Sequence, residues 1–268
     1  MRPRLVAVGM VLVLVTAACS VGAASTGTPG PGGPSLTIYG AASLKGVLER
    51  IRTAYEAAVP GTTLTIATDS SAALEVQIEQ GAPADVFLSA DTRNPQKLID
   101  GGFASGSPVP FAGNQLTVIV PTGNPAGIRT PADLARAGVK VIAAGDKVPI
   151  TTYATQLVDN LAAEPGYPAD FAAVYAANVV SREDDAKAVV AKIELGEGDA
   201  GIVYVTDATG SANVSTVDVP ASANVMATYA GVVVGSSGNV DAAEALLDWI
   251  AGADGQAILA ASGFLPAP

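Results

Sequence analysis

Two serines stand where the chain could gather donors for a small anion. Ser43 follows Ala41-Ala42, and Ser71 follows Ser70. Each lies between a short apolar run and a stretch with helical spacing. Small residues at such a junction leave backbone N–H groups uncovered, and the start of a helix attracts negative charge. The run Gly81 to Asp91, GAPADVFLSAD, repeats the theme of small residues around a buried strand. Nucleophilic chemistry has fewer candidates. The chain contains no His and a single Cys, so neither a Ser-His-Asp nor a Cys-His arrangement can form. No phosphate-binding glycine motif falls at a strand–helix junction. A Ser–Lys nucleophile or a pair of carboxylates stays open on composition. Each residue also has a duller reading. Ser43 and Ser71 can be helix caps, Tyr204 a core aromatic, and Asp85 and Asp91 turn-formers. Glu183-Asp184-Asp185 reads as a solvated helix start, and Lys187 as an outward-facing helix residue.

The charge balance narrows the partners. Against 14 basic residues stand 25 acidic ones, a formal charge of −11. Nucleic acid is excluded as an expected partner, because neutralising phosphates needs Lys and Arg. An acidic chain that binds an anion must do so locally, against its own screened field.

The elements that must position these residues alternate between strand and helix. Leu36–Tyr39 reads as a strand, followed by a helix that Ser43 caps, with Leu44, Val47, Leu48, Ile51 and Tyr55 on one face. Thr63–Ala67 is the next strand, and Ser70-Ser71 opens a helix that Gly81 ends. Asp85–Ser89 is a strand apolar on both faces, and Pro95–Ile99 a short helix. Leu116–Val120 is a strongly apolar strand, after which the rhythm restarts. Thr130-Pro131 opens a helix and Val139–Ala143 is a strand. Helices over 151–161 and 168–177, a strand over 178–180, a helix over 186–195 and strands over 201–205, 214–219 and 230–234 follow. The C-terminal portion, 240–251 and 256–261, is helical. The expected class is α/β, with two lobes built on mainly parallel sheets. Lobe I comprises residues 35–115 plus 230–268, and lobe II residues 116–229. A hinge is expected at Leu116–Val120, with a second crossing near Thr228–Val233. Ligands of such sheets bind beyond the carboxyl ends of the strands, here in the cleft.

The first residues read as an address. Arg2 and Arg4 precede an apolar run, Leu5–Val15, that is too short to span a bilayer. Residues 1–18 are therefore expected to be a signal peptide. Thr16-Ala17-Ala18-Cys19 resembles a bacterial lipobox, although Thr16 replaces the usual Leu. That resemblance implies cleavage before Cys19 and acylation of its thiol. Residues 19–34, rich in Gly, Ser, Thr, Ala and Pro, form a flexible tether. The expected location is outside the cell, lipid-anchored to the outer face of the cytoplasmic membrane.

The runs AASLKGVLERI, SSAALEVQIEQGAPADVFLSAD, NQLTVIVPTGNPAGI, GDKVPITTYA, GEGDAGIVYVTDA and the terminal SGF cover nearly all of the remaining chain. In them the chain resembles the periplasmic molybdate-binding proteins of ABC transporters. The resemblance implies the type II periplasmic-binding-protein fold. Molybdate, and tungstate beside it, is then held between the lobes by uncharged donors, with no further cofactor and no direct metal ligation. It assigns the hydroxyls and backbone N–H groups of Ser43 and Ser71, the hydroxyl of Tyr204 and the backbone N–H groups of Ile150 and Ala186 to the ligand. It implies a monomer that delivers its anion to a membrane permease with a cytoplasmic ATPase, and no enzymatic activity. Two features depart from the family pattern. The loop Gly145–Thr151 is short and carries the bulky Ile150, so Thr151 or Thr152 is an alternative donor. Asp69 stands beside Ser70-Ser71, where its charge opposes an anion unless it turns away or caps the helix. Sulfate or phosphate is the competing ligand, with Asp69 as acceptor for a hydrogen phosphate proton. A carboxylate ligand would call on Arg182, and a hydrolase is the more distant alternative.

Overall fold

The computed structural model describes residues 33–268. The expected signal peptide, Cys19 and most of the tether lie outside the described residues. Two five-stranded sheets carry the fold. In the first, β1 (Ser35–Ala41) pairs in parallel with β2 (Thr63–Asp69) and with β3 (Val86–Ser89). Helix α1 (Lys45–Ala58) links β1 to β2, α2 (Ser71–Glu79) links β2 to β3, and α3 (Arg93–Asp100) follows β3. All four residues of β3 are buried, as a strand covered by helices on both faces requires. Gly81, at φ +87°, takes the left-handed conformation that lets the chain leave α2.

Strand β4 (Val109–Asn114) closes one edge of this sheet, and β5 (Leu116–Pro121) already belongs to the other. The second sheet has the order β7-β6-β8-β5-β9, built from β6 (Val141–Ala144), β7 (Val179–Glu183), β8 (Ala200–Tyr204) and β9 (Val214–Val217). Helices α4 (Pro149–Ala163) and α5 (Phe171–Asn178) connect β6 to β7, and α6 (Ala186–Glu194) connects β7 to β8. A short helix, α7 (Val205–Thr209), follows β8. The chain then returns as β10 (Ala227–Val233), which inserts between β3 and β4, before α8 (Val240–Ala251) and α9 (Ala253–Ala261). The first sheet therefore runs β2-β1-β3-β10-β4. In each sheet one strand is reversed: β10 is antiparallel to β3 and β4, and β5 to β8 and β9. The remaining strands of each sheet run the same way, giving the mainly parallel layers anticipated.

Several boundaries differ from the sequence reading. The expected hinge, Leu116–Val120, is itself a paired strand, so the first crossing falls at Gln115, between β4 and β5. The second precedes Ala227 rather than lying in Thr228–Val233, which is β10. Asn224 ties the two crossings together: its amide nitrogen donates to the Leu116 carbonyl at 2.9 Å and its oxygen accepts the Leu116 N–H at 3.1 Å. The helix expected after Thr130 is only a 3-10 turn, Pro131–Ala135, closed by a Thr130–Asp133 capping box. Strand β4 escapes the sequence pattern because Pro110 and Gly113 interrupt it, and α7 is too short to show a period.

Candidate anion-binding site

Strand register brings the two serines together. Ala41 at the end of β1 lies opposite Asp69 at the end of β2, and Gly40 opposite Leu88 of β3. The segments beyond those ends, Ala42-Ser43, Ser70-Ser71 and Ala90, therefore form one wall of a small cavity. Ser43 is not the helix cap it was expected to be. It sits inside a 3-10 turn, Ala42–Leu44, and the N-cap of α1 is Leu44 without a side-chain bond. Its hydroxyl instead meets the Tyr229 hydroxyl at 2.9 Å. Ser71 does not cap α2 either. Ser70 does, accepting the Ala73 N–H at 3.2 Å. The Ser71 oxygen accepts the Ala90 N–H at 3.0 Å, so its own proton stays free for another acceptor. Asp69 turns its carboxylate onto the Ser70 N–H at 2.7 Å and does not line the cavity.

The second sheet supplies the facing wall by the same construction. Ala144 of β6 lies opposite Glu183 of β7, so α4 and α6 start side by side. Val148, Pro149 and Ile150 from the first, and Asp185 and Ala186 from the second, reach the cavity. Ile150 and Ala186 occupy first helical turns, whose N–H groups have no acceptor within the helix. Asp185 caps α6 by accepting the Ala188 N–H at 2.8 Å. It is thus engaged in the fold rather than solvated as expected. Thr151 and Thr152 do not replace Ile150. The Thr151 hydroxyl donates to the carbonyls of Ala144 and Gly145, and Thr152 accepts from Arg93 at 2.6 Å.

Tyr204, at the carboxyl end of β8, completes the cavity. The residue is 1% exposed, and its hydroxyl has no hydrogen-bond partner among the described residues. Burial first, then the neighbouring Tyr229, Tyr153, Asp207 and Asp91, push its pKa well above the usual tyrosine value. It is therefore a protonated donor. Its ring packs against Tyr229 and Tyr153, with centroids 5.5 and 6.5 Å away. The terminal Ser-Gly-Phe run contributes here too: Phe264 packs edge-on to Tyr229 at 5.5 Å.

Beneath this layer lies an ion pair that the sequence reading missed. Lys187 Nζ is 2.8 Å from Oδ1 of Asp207, whose side chain is fully buried in α7. Lys187 is thus an anchoring residue, not simply an outward-facing one. Desolvation raises the Asp207 pKa, Lys187 opposes that rise, and Asp185 adds to it.

The cavity is small, about 10 Å³, roughly the space for the centre of one water-sized sphere. Among the described residues no Lys or Arg lines it. Arg182 lies instead on a separate cavity of about 190 Å³ in the second lobe and pairs with Asp146 at 3.0 Å. Among the described residues, neither Ser43 nor Ser71 has a Lys or carboxylate as hydrogen-bond partner: Ser43 meets Tyr229 and Ser71 accepts from Ala90. No cluster of three His, Cys, Asp or Glu side chains is placed to hold a metal ion among the described residues.

Two α/β sheets joined by paired crossings, with donors converging between them, define a solute-binding protein of the type II periplasmic class. A family profile described as bacterial extracellular solute-binding protein matches residues 36–265, and the chain belongs to that family. It is 33% identical over 261 residues to the molybdate-binding protein ModA of Mycobacterium tuberculosis, covering 97% of this chain and 95% of that one. The periplasmic molybdate-binding protein of Azotobacter vinelandii superimposes with a TM-score of 0.72 at 25% identity, over 87% of this chain and all of the other (100%). The sulfate-binding protein SubI of Mycobacterium tuberculosis shares the fold, with a TM-score of 0.77 at 22% identity over 87% of each chain.

Proposed function

We propose that this protein captures molybdate, and tungstate with it, outside the cytoplasmic membrane and delivers it to an ABC permease driven by a cytoplasmic ATPase. The observation that carries this reading is the Tyr204 hydroxyl, buried without a partner among the described residues and facing a cavity that no described Lys or Arg lines. Such a group needs an acceptor that arrives from outside. A tetrahedral dianion supplies one to each donor. The hydroxyls and N–H groups of Ser43 and Ser71, the hydroxyl of Tyr204 and the N–H groups of Ile150 and Ala186 are the donors in this proposal. Uncharged donors avoid burying an ion pair, whose desolvation can cancel its Coulomb gain. Each hydrogen bond to a charged acceptor contributes about 1.5–3 kcal/mol. Five to seven of them, less the cost of ordering the cleft, correspond to dissociation constants from roughly micromolar to nanomolar. The proposal is of binding, with no catalytic step and no resident cofactor. Anchoring through an acylated Cys19, with residues 19–34 as a tether, and action as a monomer belong to the same proposal. The similarity to ModA over almost the whole chain supports the choice of ligand.

Isothermal titration of the purified protein with molybdate, tungstate, sulfate and phosphate tests the reading. Molybdate and tungstate are expected to bind at least tenfold more tightly than the other two. Sulfate binding as tight as molybdate overturns the assignment.

A further inference from the structure

Ser43 is held from the far end of the chain. Among the described residues its side-chain partner is the hydroxyl of Tyr229, 186 residues away in sequence, at 2.9 Å. We propose that Tyr229 is a positioning residue whose phenol donates to Ser43 Oγ and thereby fixes the serine proton toward the bound oxyanion. The inference rests on the anion site proposed above.

The packing around Tyr229 and the acidity of a phenol carry it. Tyr229 is fully buried, and its ring is held by Phe111, Tyr204 and Phe264 at centroid distances of 6.2, 5.5 and 5.5 Å. The hydroxyl therefore cannot swing elsewhere. A phenol is more acidic than an alcohol, so in a phenol–alcohol pair the phenol is the better donor. In this arrangement the Tyr229 hydroxyl gives its proton to Ser43 across their 2.9 Å contact. Once Ser43 Oγ accepts that proton, its own hydrogen has one useful direction, into the cavity. A free serine hydroxyl would spread over its rotor wells, so fixing it lowers the ordering cost of binding.

A double-mutant cycle reads this directly. Molybdate titrations are compared for the wild type, Tyr229→Phe, Ser43→Ala and the double variant, with thermal unfolding as a check on the fold. Tyr229→Phe, which keeps the ring, is expected to weaken molybdate binding roughly tenfold. In the Ser43→Ala background the same substitution should cost less than about twofold. Equal losses in both backgrounds mean that Tyr229 merely packs, and the inference fails while the site stands. Unchanged affinity in Tyr229→Phe has the same meaning. A silent Ser43→Ala removes Ser43 from the site and takes both readings down. A neutron structure of the molybdate-loaded wild type gives an answer free of substitutions: hydrogen on Tyr229 pointing at Ser43 Oγ supports the proposal, and hydrogen on Ser43 pointing at Tyr229 overturns it.

Discussion

A hydroxyl shut away from water without a partner costs about 1–3 kcal/mol, and among the described residues the Tyr204 hydroxyl has none. Tyr204→Phe should therefore separate stability from binding. The ligand-free variant is expected to melt a few degrees higher, since about 1 kcal/mol moves a domain of this size by roughly 2–4 °C. Its molybdate affinity should fall by about 1.5–3 kcal/mol. A variant that melts lower with affinity intact would return Tyr204 to the core. Ser71→Ala should lose a similar amount of binding energy in calorimetry with its circular dichroism spectrum unchanged. The tyrosines also set the pH response. Burial pushes Tyr204 and Tyr229 well above the ordinary value near 10, so both remain protonated donors through mildly alkaline conditions. Affinity should stay flat from neutral to about pH 9; a fall beginning near neutrality would point to a titrating group in the site. At this scale the sequence singled out Ser43 and Ser71 through local patterns and Tyr204 through the family resemblance, and the three line one cavity. It concealed Tyr229, because an aromatic in an apolar strand reads as core, and the Ser43 contact spans almost the whole folded chain.

Helix α6 shows how an element places a backbone donor. Gly201 of β8 lets it approach the sheet: a Cβ there would stand 2.8 Å from Val189 Cγ1 and 3.0 Å from the Ile142 carbonyl. Gly201→Ala is expected to cost about 1–3 kcal/mol in denaturant unfolding and to displace Ala186 from the cavity. The Lys187–Asp207 pair pins the same helix to α7. Removing the cation leaves a buried carboxylate uncompensated, which costs about 3 kcal/mol, somewhat less where the lysine is partly exposed. The pH dependence has a definite sign. The folded pKa of Asp207 is raised, so the folded state binds its proton more tightly and the penalty grows as pH rises past the unfolded value near 3.9. The melting temperature of Lys187→Met should fall below wild type most at neutral pH and least near pH 4. An equal gap at both would exclude this account. The α/β alternation from β1 to β3 was readable because apolar spacing and stop signals coincide there, as at Leu44–Tyr55 and Gly81. Strand β4 was not, since its pairing with β10 and its contact with Leu265 come from distant chain. Lys187 looked exposed because nothing local announces a buried Asp207.

Across the whole molecule, several polar contacts span the cleft. Arg93 of α3 reaches Thr152 of α4 at 2.6 Å, Asn114 reaches Thr206 at 2.9 Å, and the Thr228 N–H donates to the Tyr153 hydroxyl at 3.3 Å. Together with the Asn224 clamp on Leu116, they tie the two lobes to each other beside the paired crossings. Small-angle scattering should show compaction when molybdate is added; an unchanged radius of gyration would count against closure. The placement of β10 has a further consequence, for the order in which the protein can be built. Residues 116–217 contain every strand of the second sheet, so that half can complete its pairing while the rest of the chain is still being made. The first sheet must wait, because the strand that fills its interior is the last to be synthesised. Until Ala227–Val233 arrives, β3 and β4 present open edges, the surfaces on which unfinished chains adhere to one another.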